Sequence, residues 1–260
     1  MPLTGKVAVI TGAGSGIGRE TALLLAEHGA IIAGIDWSAS EVAETVEKIQ
    51  HQSGTAIAVV ADVSQPDQVE CAMTEIVQKF GRIDIVFANA GINGVWAPLE
   101  EITPEEWNET VNTNLNGTFY TIKYAVSYLK KQGGSVIITA SVNGTRTFSN
   151  TGATAYACTK AAQVTFMKMI ALELAKNKIR VNAICPGAIG TNIFNTAHPK
   201  HLDTIKEPVE YPHGTVPLNG GLPGRAEQVA ELVLFLASDA ASHITGTEVW
   251  IDGAESLLVG

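Results

Sequence analysis

Residues 6–18, KVAVITGAGSGIG, run from an unbroken apolar stretch directly into a glycine-rich turn. Residues 6–11 read as a strand. An apolar run without polar alternation is the mark of a strand buried on both faces. The turn that follows, Gly12 to Gly18, has the spacing Gly-x-x-x-Gly-x-Gly, and Ile17 stands where a G-x-G-x-x-G motif would have its third glycine. Glycine lets a backbone turn sharply and lets a pyrophosphate approach the amides. A helix extending to about His28 adds unpaired N–H groups and a positive dipole end. Gly12, Ser15, Gly16, Ile17 and Gly18 are therefore candidate phosphate-binding positions.

Outward from this unit the same alternation continues. Apolar strands are expected at 31–36, 56–61, 83–88, 135–140, 179–184 and 247–252. Helices fall between them: 40–52 with Val42, Val46 and Ile49 on one face, then a helix marked by Val69, Met73, Ile76 and Phe80. A longer one covers 104–131, with Thr103 as N-cap and Pro104 in the first turn. Residues 155–176 form another, and Val229, Leu232, Val233 and Leu236 mark the last. Strands alternating with helices predict an α/β fold, a Rossmann-type doubly wound parallel sheet of about seven strands with helices on both faces. Residues 1–260 read as a single domain. The one long irregular stretch, 187–225, reads as a substrate loop or lid.

Composition narrows the partners. The chain has 260 residues, 46% apolar and 17% charged, and a formal net charge of −9. That balance argues against nucleic acid or an anionic membrane as partner. Cys71, Cys158 and Cys185 are scattered and odd in number, so no disulfide framework is expected. The histidines are dispersed, and no metal site is expected. No signal peptide and no apolar run of about 20 residues are evident, so a cytoplasmic setting is the expectation.

Two further features carry chemistry. Asp36 ends the second strand, where an acidic residue binds a ribose 2′-hydroxyl and repels a 2′-phosphate. No Arg or Lys lies between Ile31 and Ala43, and Ser15 stands where a basic residue could meet such a phosphate. Both point to NAD over NADP. Tyr156 and Lys160 stand one helical turn apart, with Ser141 fifteen residues upstream of the tyrosine. A phenol has an ordinary pKa of about 10. A neighbouring cation lowers it towards useful acid–base range.

Taken in order, TGAGSGIG at 11–18, Asp62-Val63, Asn89-Ala90-Gly91, Asn114 in NTNLNG, Ser141, Tyr156-x-x-x-Lys160 and Pro186-Gly187 resemble the short-chain dehydrogenase/reductase family over essentially the whole chain. The resemblance implies a role for each residue. Tyr156 would be the general acid/base, Lys160 would lower its pKa and bind the nicotinamide ribose, and Ser141 would hold the substrate oxygen. Asn114 would anchor a water in a proton relay to Lys160; read as a residue alone, it bonds a neighbouring backbone group. Asp62 and Val63 would meet the adenine, while Asn89, Ala90 and Gly91 would pass under its ribose. Pro186, Gly187, Ile189 and Thr191 would hold the carboxamide.

The activity implied is NAD(H)-dependent interconversion of a secondary alcohol and its ketone, with the Tyr156 phenolate taking the alcohol proton. A 3-oxoacyl-carrier-protein reductase is the nearest alternative, and a non-catalytic cofactor sensor a more distant one. The family commonly forms homotetramers through helices matching 104–131 and 155–176 and the C-terminal segment, here Ser256-Leu257-Leu258-Val259. The stretch between Ser141 and Tyr156 is longer than in many members, and Arg146, Phe148 and Asn150 lie in it. Ser141 is preferred over Ser149 as the catalytic serine because it closes the fifth strand. Trp96, Phe194 and Tyr211 are candidates to line an apolar substrate pocket.

Overall fold

The computed structural model describes residues 2–207 and 214–258. Tyr211 and Val259 lie outside the described residues. The elements run β1 (Val7–Thr11), α1 (Gly16–Glu27), β2 (Ile31–Asp36), α2 (Ala39–His51), β3 (Ala56–Val60), α3 (Pro66–Phe80) and β4 (Ile85–Ala88). Then come β5 (Gly94–Trp96), α4 (Pro104–Val111), α5 (Gly117–Leu129), β6 (Gly134–Thr139), α6 (Thr154–Ala175) and β7 (Ile179–Pro186). The chain continues through β8 (Ile189–Gly190), β9 (Ala197–Pro199), β10 (Gly224–Arg225), α7 (Ala226–Ala237) and β11 (Glu248–Ile251).

Seven strands form one sheet in the order β11-β7-β6-β4-β1-β2-β3. Every neighbouring pair in it is parallel. The apolar runs explain the architecture. All five residues of β1 are buried, as are all four of β4, because each strand has helices over both faces. On one face α3, α5 and α6 present Val69, Met73, Ile122 and Met167 to the core. On the other, α1, α2 and α7 present Leu25, Val42, Ile49 and Val233. Each such side chain contributes about 1.5–3 kcal/mol on burial. The order reverses between β1 and β4, and a crevice opens at the strand ends there.

Local signals set the helix ends. Thr103 and Glu106 form a reciprocal capping box, with Pro104 in the first turn of α4. Gly81 ends α3 in the left-handed conformation at φ 76°.

The expected helix over 104–131 is broken. A π-helical turn, Asn112–Asn116, separates α4 from α5. It turns Asn114, fully buried, towards the segment after β4. The described parts of 187–225 are more ordered than their composition suggests. β8 pairs with β10, and β9 with β5, both parallel, so the chain on either side of 208–213 is stitched to the body.

Candidate active site

The candidate residues arrive from separate strands and meet at the carboxyl end of the sheet. They border one cavity of about 700 Å³. Gly12, Ser15, Gly16, Ile17, Asp36, Asp62, Val63, Asn89, Ala90 and Gly91 line it from β1, β2, β3 and β4. Ser141, Tyr156, Lys160, Pro186, Gly187, Ile189 and Thr191 line it from β6, α6 and the β7–β8 turn. Gly18 and Asn114 stand behind the wall. A Cβ on Gly18 would collide with the Gly12 carbonyl, so that glycine serves close packing of helix on strand.

The phosphate loop is built for an anion. Gly12 and Gly16 hold φ of +68° and +51°, which side-chain-bearing residues rarely adopt. Ser15 caps α1 without a side-chain hydrogen bond, and no acidic residue occupies the first turn. The opening N–H groups of the helix thus remain available to a pyrophosphate. Thr191 closes over the loop, 3.2 Å from where a Cβ on Gly16 would sit.

Asp36 is buried and braced. One carboxylate oxygen accepts the Gly14 amide at 2.9 Å and the other the Ser38 amide at 2.9 Å. Glu41, one turn into α2, and the exposed Trp37 line the same end of the cavity. Glu41 escaped the sequence reading, although its place just after the acidic strand end was a usable signal. Asp62 accepts the Ser64 amide at 2.9 Å, and its own amide donates to Gln68.

A chain of hydrogen bonds ties the strand tips together. The Thr11 hydroxyl accepts the amides of Asn89 and Ala90 at 3.0 and 3.1 Å. The Asn89 carboxamide donates to the Thr11 carbonyl and accepts from the Thr139 hydroxyl at 3.1 Å. Thr11 and Thr139 were not foreseen, because a threonine at a strand end carries no motif of its own.

The catalytic candidates are all deeply buried: Ser141, Tyr156 and Lys160 expose 6%, 7% and 2% of their surface. Ser141 and Tyr156 line the same cavity, and the Ser141 hydroxyl accepts the Asn143 amide at 3.1 Å. Burial pushes the phenol above its ordinary value, and the neighbouring Ser141 hydroxyl pulls it partly back. The Lys160 ammonium donates to the Thr139 carbonyl at 2.8 Å and stands 5.4 Å from the centre of the Tyr156 ring. Burial draws its own pKa down to about 8. In the protein alone the ammonium is directed to a backbone oxygen, and desolvation of the phenol dominates.

Asn114 takes the plainer of its two readings. Its carboxamide accepts the Ile92 amide at 2.8 Å and donates to the Ile92 carbonyl at 2.9 Å and to Thr159 at 3.1 Å. Space remains nearby all the same. A Cβ on Gly91 would lie 3.1 Å from the Asn114 carbonyl oxygen and 3.6 Å from the Lys160 ammonium. The bare glycine thus leaves a gap between those two groups.

Glu255, in the short turn after β11, also escaped the sequence reading. It lines the cavity and accepts the Ala188 amide at 2.5 Å. Burial raises its carboxyl above the usual range, the Ala188 N–H opposes this, and the nearby Asp252 charge adds to it.

Comparison with known proteins agrees with this geometry. A family model described as enoyl-(acyl carrier protein) reductase matches residues 12–254. A 3-oxoacyl-[acyl-carrier-protein] reductase of Thermotoga maritima is 39% identical over 254 residues, 97% of this chain and 98% of that one. The chain is a short-chain dehydrogenase/reductase. Among solved members of the family, a 3-ketoacyl-ACP reductase from Sinorhizobium meliloti 1021 superposes with a TM-score of 0.94 at 52% identity, covering 97% of this chain and 100% of that one. A 3-ketoacyl-(acyl-carrier-protein) reductase from Brucella melitensis, complexed with NADH, gives 0.85 at 31% identity, with 97% and 99% covered. The glycine loop, the bare helix N-terminus and the acidic strand end here fit a nicotinamide dinucleotide of the kind bound there.

Proposed function

We propose that this short-chain dehydrogenase/reductase interconverts a secondary alcohol and its ketone with NAD(H), with Tyr156 as general acid/base. The observation that carries the reading is that Ser141, Tyr156 and Lys160 line the cavity that holds the glycine loop, with the Lys160 ammonium 5.4 Å from the Tyr156 ring centre. A bound nicotinamide dinucleotide supplies the hydride chemistry. Ser141 holds the substrate oxygen. Tyr156 takes the proton from that oxygen in oxidation and returns it in reduction, a contribution of about 10²–10⁴-fold. Lys160 binds the ribose hydroxyls, and its charge keeps the phenolate within reach at moderate pH. Gly91 leaves room for a water between Asn114 and Lys160, through which the proton reaches solvent.

Preference for NAD rests on Asp36 and Glu41, two carboxylates where a 2′-phosphate would have to sit. Asp62 and Val63 meet the adenine; Asn89, Ala90 and Gly91 run beneath its ribose; Pro186, Gly187, Ile189 and Thr191 hold the carboxamide. Residues 1–260 act as one domain, and 187–225 is its substrate lid. Ion pairs from Lys200 to Glu106 and from His201 to Glu101 latch the lid to the body.

Free cysteines suit a cytoplasmic setting. Exposed apolar side chains on α5 and α6, among them Phe119, Met169 and Leu172, with Leu257 and Leu258 near the C-terminus, suit burial in a homotetramer. Light scattering behind size exclusion reads that state directly. Steady-state rates with NAD⁺ over a panel of secondary alcohols test the activity: turnover that depends on Tyr156 supports it, and turnover indifferent to Tyr156 overturns it.

A further inference from the structure

Several residues that line the cavity are left unused by these roles. Glu255 spends one carboxylate oxygen on the Ala188 amide; the other has no hydrogen-bond partner among the described residues. The same cavity is lined by Asn143 and Asn150, joined to each other at 3.0 Å, and by Asn192 and Asn195, whose carboxamides bond nothing among the described residues. Lys160 is the one cation among the described lining residues, and its ammonium is already turned to the Thr139 carbonyl.

The unused residues offer acceptors and amides in quantity and hold a fixed negative charge. A hydroxyl donating to a carboxylate makes a charge-assisted hydrogen bond, about twice as strong as a neutral one. A site with polar groups to satisfy rejects analogues that leave them unpaired. An anionic substrate would instead meet Glu255 with no free cation beside it, and like charges in a partly desolvated cavity repel.

Resting on the dehydrogenase reading above, we propose that the substrate is an uncharged alcohol or ketone bearing a second hydroxyl, namely a small diol, hydroxyketone or polyol. Glu255 selects it by accepting that second hydroxyl. Carboxylates are poor substrates by the same device.

The test is kcat/KM with NAD⁺ for three molecules of one carbon count, 2,3-butanediol, 2-butanol and 3-hydroxybutyrate, joined by xylitol as a longer polyol. Wild-type enzyme should favour the diol or the polyol over both 2-butanol and 3-hydroxybutyrate by at least about tenfold, about 1.4 kcal/mol. Glu255→Gln keeps an oxygen for the Ala188 amide but loses the charge, and should cut the preference over 2-butanol and 3-hydroxybutyrate while NADH binding stays within about twofold, a margin of about 0.4 kcal/mol. A bracing role alone would depress all substrates together and weaken NADH.

Should the variant not fold, the wild-type ratios decide. Equal or better use of 3-hydroxybutyrate or 2-butanol by a Tyr156-dependent enzyme overturns this proposal and leaves the dehydrogenase reading standing. Silence on every molecule with both NAD⁺ and NADP⁺ overturns the two together.

Discussion

The Lys160 ammonium donates a 2.8 Å hydrogen bond to the Thr139 carbonyl oxygen at the end of β6. One backbone oxygen thus positions the cation that stands beside Tyr156. The lysine is fully enclosed, and its proton is held weakly, with a pKa of about 8 against an ordinary 10.5.

A stability signature follows from that shift. Below about pH 8 both folded and unfolded chains keep the Lys160 proton, and its burial costs the fold a constant amount. Between about 8 and 10.5 the unfolded chain still binds a proton that the folded one has released, so the Lys160 contribution to stability rises with pH. Cys185 runs the other way: burial raises its thiol from 9.0 to about 12, and its contribution falls across that window. Lys160→Met removes the first effect and, by taking away a cation that lowers the Cys185 thiol, strengthens the second. Urea midpoints at pH 7.5 and at 10 should therefore show wild type gaining on the variant at the higher pH.

Asp36 and Glu41 should set cofactor choice. Wild type is expected to use NADH over NADPH by at least about tenfold in kcat/KM, since a phosphate would face both carboxylates. Asp36→Ala should narrow the ratio. It also frees the Gly14 and Ser38 amides that Asp36 now accepts, at a cost of about 1–3 kcal/mol for each buried group left unsatisfied. Chemical denaturation of the same variant measures that cost separately.

Gly91 gives a third handle. A Cβ there would enter the gap between the Asn114 oxygen and the Lys160 ammonium, at 3.1 and 3.6 Å. Gly91→Ala should hold its fold, because the added carbon makes no severe overlap, while kcat falls by about 10²-fold as the relay space and Lys160 are disturbed. Gly18→Ala should differ. Its Cβ collides with the Gly12 backbone, so both stability and NADH affinity should fall. Thermal melts beside NADH titrations separate the two cases.

The pH profile of oxidation offers a fourth. In the protein alone, burial holds the Tyr156 phenol above its ordinary value. A bound nicotinamide cation and a charged Lys160 should pull it down. Oxidation rates should therefore rise with pH through a pKa lower than that of the apoenzyme phenol, and Lys160→Met should move that pKa upward.

The frame was legible because burial writes itself into strands such as Val7–Thr11 and Ile31–Asp36, where every apolar residue faces a helix. The site was legible where a motif demands a residue type, as at Gly12, Asp36 and Tyr156. Other features left no local trace. The pairing of Gly94–Trp96 with Ala197–Pro199 joins segments about a hundred residues apart, and two or three residues carry no periodicity. The π turn at Asn112–Asn116 keeps a helical pattern on both sides and so reads as continuous helix. Thr139 and Glu255 became site candidates only through what the fold brings near them. The upward shift of the Tyr156 phenol left no trace either, because spacing shows that a lysine is near and not how deeply the phenol is buried.

The most direct test of the central claim is Tyr156→Phe, assayed in parallel for turnover and for NADH binding. Loss of the phenol should lower kcat by about 10²–10⁴-fold with NADH affinity nearly unchanged. Turnover near the wild-type rate, with the cofactor bound as before, would contradict it.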